Sequence, residues 1–89
     1  MLELKVKVVN RAGLHTRPAA TLVKLTSKYK SNVMIEKDGF RINGKSIIGV
    51  MTLAAEVGSE LLFEIDGEDE KEMAAEIEEL FASGFGEPI

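Results

Sequence analysis

Apolar and polar residues alternate at the start of the chain, with Leu2, Leu4, Val6 and Val8 separated by Glu3, Lys5 and Lys7. A period of two sends one set of side chains to a core and the other to water, which predicts a strand over 2–9. The period then changes. Beyond a loop from Asn10 to Leu14, the residues Ala19, Leu22, Val23 and Leu25 recur at the spacing of one helical face. They predict a helix from Thr16 to Lys28, with Pro18 in the first turn, where a missing N–H costs nothing. Val33, Met34 and Ile35 open a second strand, and Phe40 and Ile42 lie on a third. Asp38-Gly39 between them is a two-residue hairpin signal, so these two strands pair antiparallel. Ser46 can cap a short helix carrying Ile47, Val50, Met51 and Ala54, ended by Val57-Gly58-Ser59. Leu61, Phe63 and Ile65 alternate with Leu62 and Glu64 on a fourth strand. Asp69, followed by Glu72, reads as a capping pair for a last helix whose Met73, Ile77, Leu80 and Phe81 form one stripe ending at Gly84.

The order β-α-β-β-α-β-α, with at least one antiparallel pair, predicts a two-layer α+β domain spanning 1–89. Helices would cover one face of the sheet and leave the other wet. Val50, Leu53 and Ala54 are assigned to the core, while some of Ile47, Ile48 and Met51 should be exposed because so short a helix cannot bury every apolar residue on one face. The segment 84–89 reads as a loosely held tail.

Composition narrows the function. A hydrophobic content of 45% in 89 residues suffices for one modest core. There is no cysteine and only one histidine, so neither a disulfide framework nor an imidazole or thiolate metal site is expected, and no cofactor is implied. A reducing cytosol is the natural compartment. Glu3 and the alternation around it do not suit a signal peptide. The longest apolar stretch, Ile47 to Ala55, is broken by Gly49 and Thr52 and falls short of the ~20 residues of a membrane span, so no membrane insertion is expected. The net charge of −4 is unevenly divided: residues 1–45 hold ten Lys/Arg and three Asp/Glu, and residues 46–89 hold one and twelve. A basic half around a candidate site would steer acidic partners or hold an anion, whereas the acidic half also fits a solvated helix face.

The candidate chemistry lies in Gly13-Leu14-His15-Thr16-Arg17-Pro18. The single His sits just before a predicted helix, whose unpaired N–H groups and positive dipole end stabilise an anion. Imidazole is a competent nucleophile near neutral pH. His15 would attack and later donate, and Arg17 would bring a guanidinium to the phosphoryl oxygens. Thr16, Arg17 and Pro18 form the expected phosphate cradle. The bland reading of the same residues is an ordinary N-cap, a solvated charge and a helix starter. A second motif is rejected. Gly39 to Ser46 matches G-x-x-x-x-G-K-S, but its four intervening residues alternate like a strand behind a hairpin turn, so the loop a nucleotide would need is used up in the sheet.

The segment NRAGLHTRPAATLVKL, followed by GKSIIGVMTLAA, resembles the HPr family of phosphocarriers of the bacterial phosphotransferase system over nearly the whole chain. The resemblance implies an open-faced β-sandwich, a four-stranded antiparallel sheet in order 1-4-2-3 with three helices on one face. It further implies a cytoplasmic carrier, not an enzyme, that takes a phosphoryl group on His15 Nδ1 from enzyme I and gives it to IIA proteins or domains. Arg17 would be the assisting cation. Leu14, Ala20, Ile47, Ile48 and Met51 would form an apolar docking patch, with Lys24, Lys28 and Lys45 joining Arg17 in a basic rim. Ser46 keeps two compatible readings, a plain N-cap and a regulatory phosphorylation site, the latter implying an HPr kinase/phosphorylase and a transcriptional regulator as further partners. A monomer is expected. The ending LFASGFGE leaves open the nitrogen-related regulatory branch beside sugar uptake. A nucleic-acid module of the same layered shape would need paired aromatic residues on the sheet; only Phe40 and Phe63 fall in strands, and no nucleic-acid partner is expected.

Overall fold

The alternating stretches become strands β1 (Leu2–Lys7), β2 (Asn32–Lys37), β3 (Phe40–Asn43) and β4 (Glu60–Asp66). In the computed structural model, which describes residues 1–89, they form one antiparallel sheet in the order β1-β4-β2-β3. The register explains the burial. Phe63 pairs with Leu4 on one side and Ile35 on the other, and Ile35 pairs with Ile42, so the apolar sets of all four strands share one face. That face is covered by helices α1 (Thr16–Ser27), α2 (Ile47–Thr52) and α3 (Glu70–Ala82). Ala19 and Leu22 of α1, Val50 of α2, and Met73 and Ile77 of α3 are fully buried together with Ile35, Phe63 and Ile65. Each large apolar side chain so withdrawn from water contributes roughly 1.5–3 kcal/mol before the entropy of ordering it is subtracted. Phe63 and Phe81 meet edge to face with ring centroids 5.6 Å apart, a favoured aromatic geometry that ties β4 to α3.

The opposite face carries Glu3, Lys5, Met34, Glu36, Arg41, Leu62 and Glu64, with an Arg41–Glu64 ion pair across it. Phe63 is committed to the core and Phe40 lies exposed at a strand end, so this face offers charges and not a pair of stacking rings. The hairpin between β2 and β3 turns on Asp38 and Gly39, both at positive φ (50° and 86°), as its two-residue length demands. Residues 40–43 are therefore strand, as the rejection of a nucleotide-binding loop requires.

Four expectations need correction. The second helix stops at Thr52, and Ala54 turns left-handed at φ 47° and faces solvent; Val50, Leu53 and Ala55 are the buried residues of this segment. Asp69 does not cap α3 with its side chain. Its carboxylate instead accepts from the amides of Lys30 and Ser31 at 2.8 and 2.9 Å and from the Ser31 hydroxyl, fastening the start of α3 to the loop before β2. The first strand ends at Lys7, although Val8 stays buried and exchanges backbone hydrogen bonds with Gly58 and Ser59. The C-terminal tail is docked: Gly84 is buried at φ 66° after the helix cap, Phe85 packs edge to face on Phe81, and the Arg11 amide donates to the Pro88 carbonyl at 3.0 Å.

Candidate functional site

The loop from β1 to α1 is stitched down before it reaches His15. Asn10 is fully buried, its Nδ2 donates to the Gly13 carbonyl at 2.8 Å, and the Gly13 amide returns to the Asn10 carbonyl. Gly13 sits at φ 73°, and a Cβ there would lie 2.6 Å from the Ala55 carbonyl oxygen. Only glycine satisfies both the left-handed backbone and the close approach. The next amide, of Leu14, donates to that same Ala55 carbonyl at 2.9 Å. Leu14 itself is buried, so it supports the loop from below; the expectation that it docks partners is corrected.

His15 is the N-cap residue of α1, with extended backbone and no side-chain cap bond. Its carbonyl accepts from the Ala19 amide at 2.9 Å, closing the first helical turn, while its imidazole stays about half exposed. The amides of Thr16 and Arg17 find no acceptor within the chain, and Pro18 has no amide to offer. Helix starts leave such donors unfilled unless a cap or ligand takes them. The expected cradle is thus two free amides and the Arg17 side chain; Pro18 is buried and contributes only its fixed φ. Arg17 is exposed and engaged in no ion pair. Beside the imidazole a shallow hollow of about 330 Å³ is lined by Ala12, Leu14, His15, Thr16, Met51, Ala54, Ala55 and Glu56.

The structure brings α2 alongside this start. Ile47, Ile48 and Met51 are exposed, with Ile48 77% accessible, and Ala20 is half-buried on α1. Ser46 caps α2 through its hydroxyl, which accepts from the Gly49 amide at 3.0 Å. The expected basic rim is only partly free. Lys24 has no ion-pair partner, whereas Lys28 Nζ is held by Glu76 at 2.7 Å and Lys45 Nζ donates to the Tyr29 carbonyl at 2.7 Å. The Glu76 carboxyl is held below its usual range by the Lys28 hydrogen bond and then by that of Tyr29, whose phenol is pushed up to about 12 chiefly by the same Glu76 contact.

Two residues of the site escaped the sequence reading. Glu87 Oε1 lies 3.2 Å from His15 Nε2 and accepts from Asn10 Nδ2 at 3.1 Å. Burial pushes the Glu87 carboxyl up, but hydrogen bonds from His15 and Asn10 and the nearby Arg17 charge together hold it below the usual carboxylate range. No local pattern marks Glu87, since its partner is 72 residues away; Asn10 showed only as the polar residue opening the loop before His15.

The chain is similar to known proteins in both sequence and fold. The sequence profile described as "PTS HPr component phosphorylation site" matches residues 2–83. The chain is 46% identical over 87 residues to the phosphocarrier protein HPr of Treponema pallidum, covering 98% of this chain and 99% of that one. Among solved structures, HPr from Thermoanaerobacter tengcongensis superposes with a TM-score of 0.95 at 38% identity, covering both chains in full. A structure of the HPr dimer from the same organism superposes with a TM-score of 0.78 at 39% identity, over 98% of this chain and 100% of that one.

Proposed function

The chain belongs to the HPr family, the phosphocarriers of the phosphotransferase system, which relay a phosphoryl group without being enzymes; from that premise we propose that His15 is its phosphoryl acceptor and donor. The observation that carries the reading is the one histidine of the chain standing exposed at a helix start whose next two amides are unfilled. The donor is enzyme I, charged by phosphoenolpyruvate. The lone pair of one imidazole nitrogen attacks phosphorus, the bond from phosphorus to the donor breaks, and the donor atom keeps that electron pair. The Thr16 and Arg17 amides and the Arg17 guanidinium meet the phosphoryl oxygens, whose charge is spread in a loose transition state. Donation to a IIA protein or domain is the same step in reverse on His15.

Ile47, Ile48 and Met51, with Ala20, serve as the apolar docking patch, and Arg17 and Lys24 supply the free positive charge that speeds encounter with acidic partners. Methionine suits a surface that must fit several partners and release each. Ser46 is a regulatory phosphorylation site for an HPr kinase/phosphorylase. A phosphate oxygen on it can still accept from the Gly49 amide, so modification adds charge beside Ile47 without opening the helix. The cytoplasm is the compartment proposed, and no helix is long and apolar enough to cross a membrane. The HPr dimer solved from T. tengcongensis removes the ground for expecting a monomer, because a chain 39% identical to this one has been solved as a dimer.

Incubation with enzyme I and labelled phosphoenolpyruvate tests the reading. Acid-labile label on the wild type and none on His15→Ala is expected. A wild-type chain that stays unlabelled beside a demonstrably active enzyme I, or label that persists in His15→Ala, sinks it.

A further inference from the structure

The tail beyond α3 delivers a carboxylate to the imidazole, and it does so with unusual care for a surface segment. The Glu87 side chain is only 12% exposed. Withdrawing a carboxylate from water is costly unless its oxygens are hydrogen-bonded, and Glu87 has two donors, His15 Nε2 at 3.2 Å and Asn10 Nδ2 at 3.1 Å. Asn10 cannot drift, because it is fully buried and its Nδ2 is also bound to the Gly13 carbonyl, two residues before His15. The segment carrying Glu87 is anchored on both sides, by Phe85 on Phe81 and by the Arg11 amide on the Pro88 carbonyl. One buried amide therefore sets both the loop that presents the histidine and the carboxylate that meets it.

An ionised carboxylate only accepts hydrogen bonds, so the ring nitrogen facing it carries the proton. In a neutral imidazole the other nitrogen, Nδ1, then holds the lone pair. We propose that Glu87 is a positioning residue for phosphoryl transfer: it holds His15 as the Nε2–H tautomer in a fixed orientation, leaves Nδ1 as the nucleophile, and balances the charge the ring acquires. The inference rests on the reading of His15 as acceptor. As Nδ1 bonds to phosphorus and the donor bond breaks, the ring keeps its Nε2 proton and becomes a phosphorylated imidazolium beside the Glu87 carboxylate. No proton has to move. When the phosphoryl group departs to the next acceptor, the N–P electron pair returns to Nδ1 and the ring leaves as a neutral imidazole, a far better leaving group than an imidazolate. A carboxylate that retains the Nε2 proton thus serves both loading and unloading.

The test uses the full chain with Glu87→Ala and Glu87→Gln. ¹⁵N shifts of the His15 ring, recorded with no donor present, report the tautomer; single-turnover loading from phosphorylated enzyme I reports the transfer rate; a thermal melt reports folding. Glu87→Ala is expected to raise the Nδ1–H population and slow loading by about tenfold, the low end of what losing the carboxylate that orients a metal-bound histidine costs. Glu87→Gln, whose amide oxygen still accepts the Nε2 proton, is expected to restore the tautomer and only part of the rate. Unchanged ring shifts and loading in Glu87→Ala overturn the inference, and so do equal losses in both variants that track a lowered melting temperature. Those outcomes leave the acceptor reading standing, whereas an unlabelled wild type removes both.

Discussion

The starts of α1 and α2 are finished in opposite ways. At α2 the Ser46 hydroxyl takes the Gly49 amide, so the helix supplies its own cap. At α1 the cap residue is His15, whose side chain bonds no amide of its helix, and the amides of Thr16 and Arg17 are left to whatever arrives. A closed start contributes to stability and an open one to binding, because the same N–H groups cannot be satisfied twice. The imidazole is turned outward to Glu87 instead of back onto the helix, which is the local sacrifice that leaves the donors free.

The sharpest way to break this contrast is at the open end. Arg17→Ala should slow phosphoryl loading by about 10²–10³-fold, the scale seen when one donor to a developing oxyanion is lost. Because Arg17 is exposed and has no ion partner, the melting temperature should hold. A rapid-quench loading assay paired with a melt measures both, and an unaltered rate would leave the two amides as the whole cradle. The mirror experiment is Ser46→Ala at the closed end. It removes a cap worth about 1 kcal/mol, which lowers the melting temperature by about 4–8 °C in a domain of this size, and loading of His15 should not change. A rate that falls with the cap would mean that the two starts are coupled.

The α3 start supplies a third case, in which the cap residue turns away to hold another loop. The Asp69 carboxyl is lowered from an ordinary 3.8 to about 2, first by the Ser31 hydroxyl and then by the Lys30 amide. A depressed folded value means that this contact stabilises fully above the unfolded pKa and is lost as the pH falls through the folded one. Stability of the wild type should therefore decline between about pH 4 and pH 2 in part through this group. Asp69→Asn should flatten that acid limb in a urea titration at stepped pH while leaving His15 loading intact.

Much of this could be read before the structure. The period of two in β1 and β4, the stripe of α1 and α3, the Asp38-Gly39 turn and the family's 1-4-2-3 sheet order all reappear. His15 before Pro18 already marked the candidate site, since both the histidine and the helix start are local features of the chain. The misses are of another kind. Leu14 and Ala54 exchanged their expected places because burial in a loop depends on which element lies beneath it, not on residue type. Lys28 and Lys45 were counted as free charges and are held by Glu76 and Tyr29.

What the sequence by itself determined was therefore the set of elements, their apolar faces and the histidine at a helix start, because dihedral preference and side-chain periodicity act over a few neighbouring residues. Only the tertiary structure decided where unpaired acceptors would land. Asp69 reaches Ser31 across 38 residues, and Glu87 reaches His15 across 72. Contacts of that span depend on where packed elements bring the chain back together, and no local period encodes them.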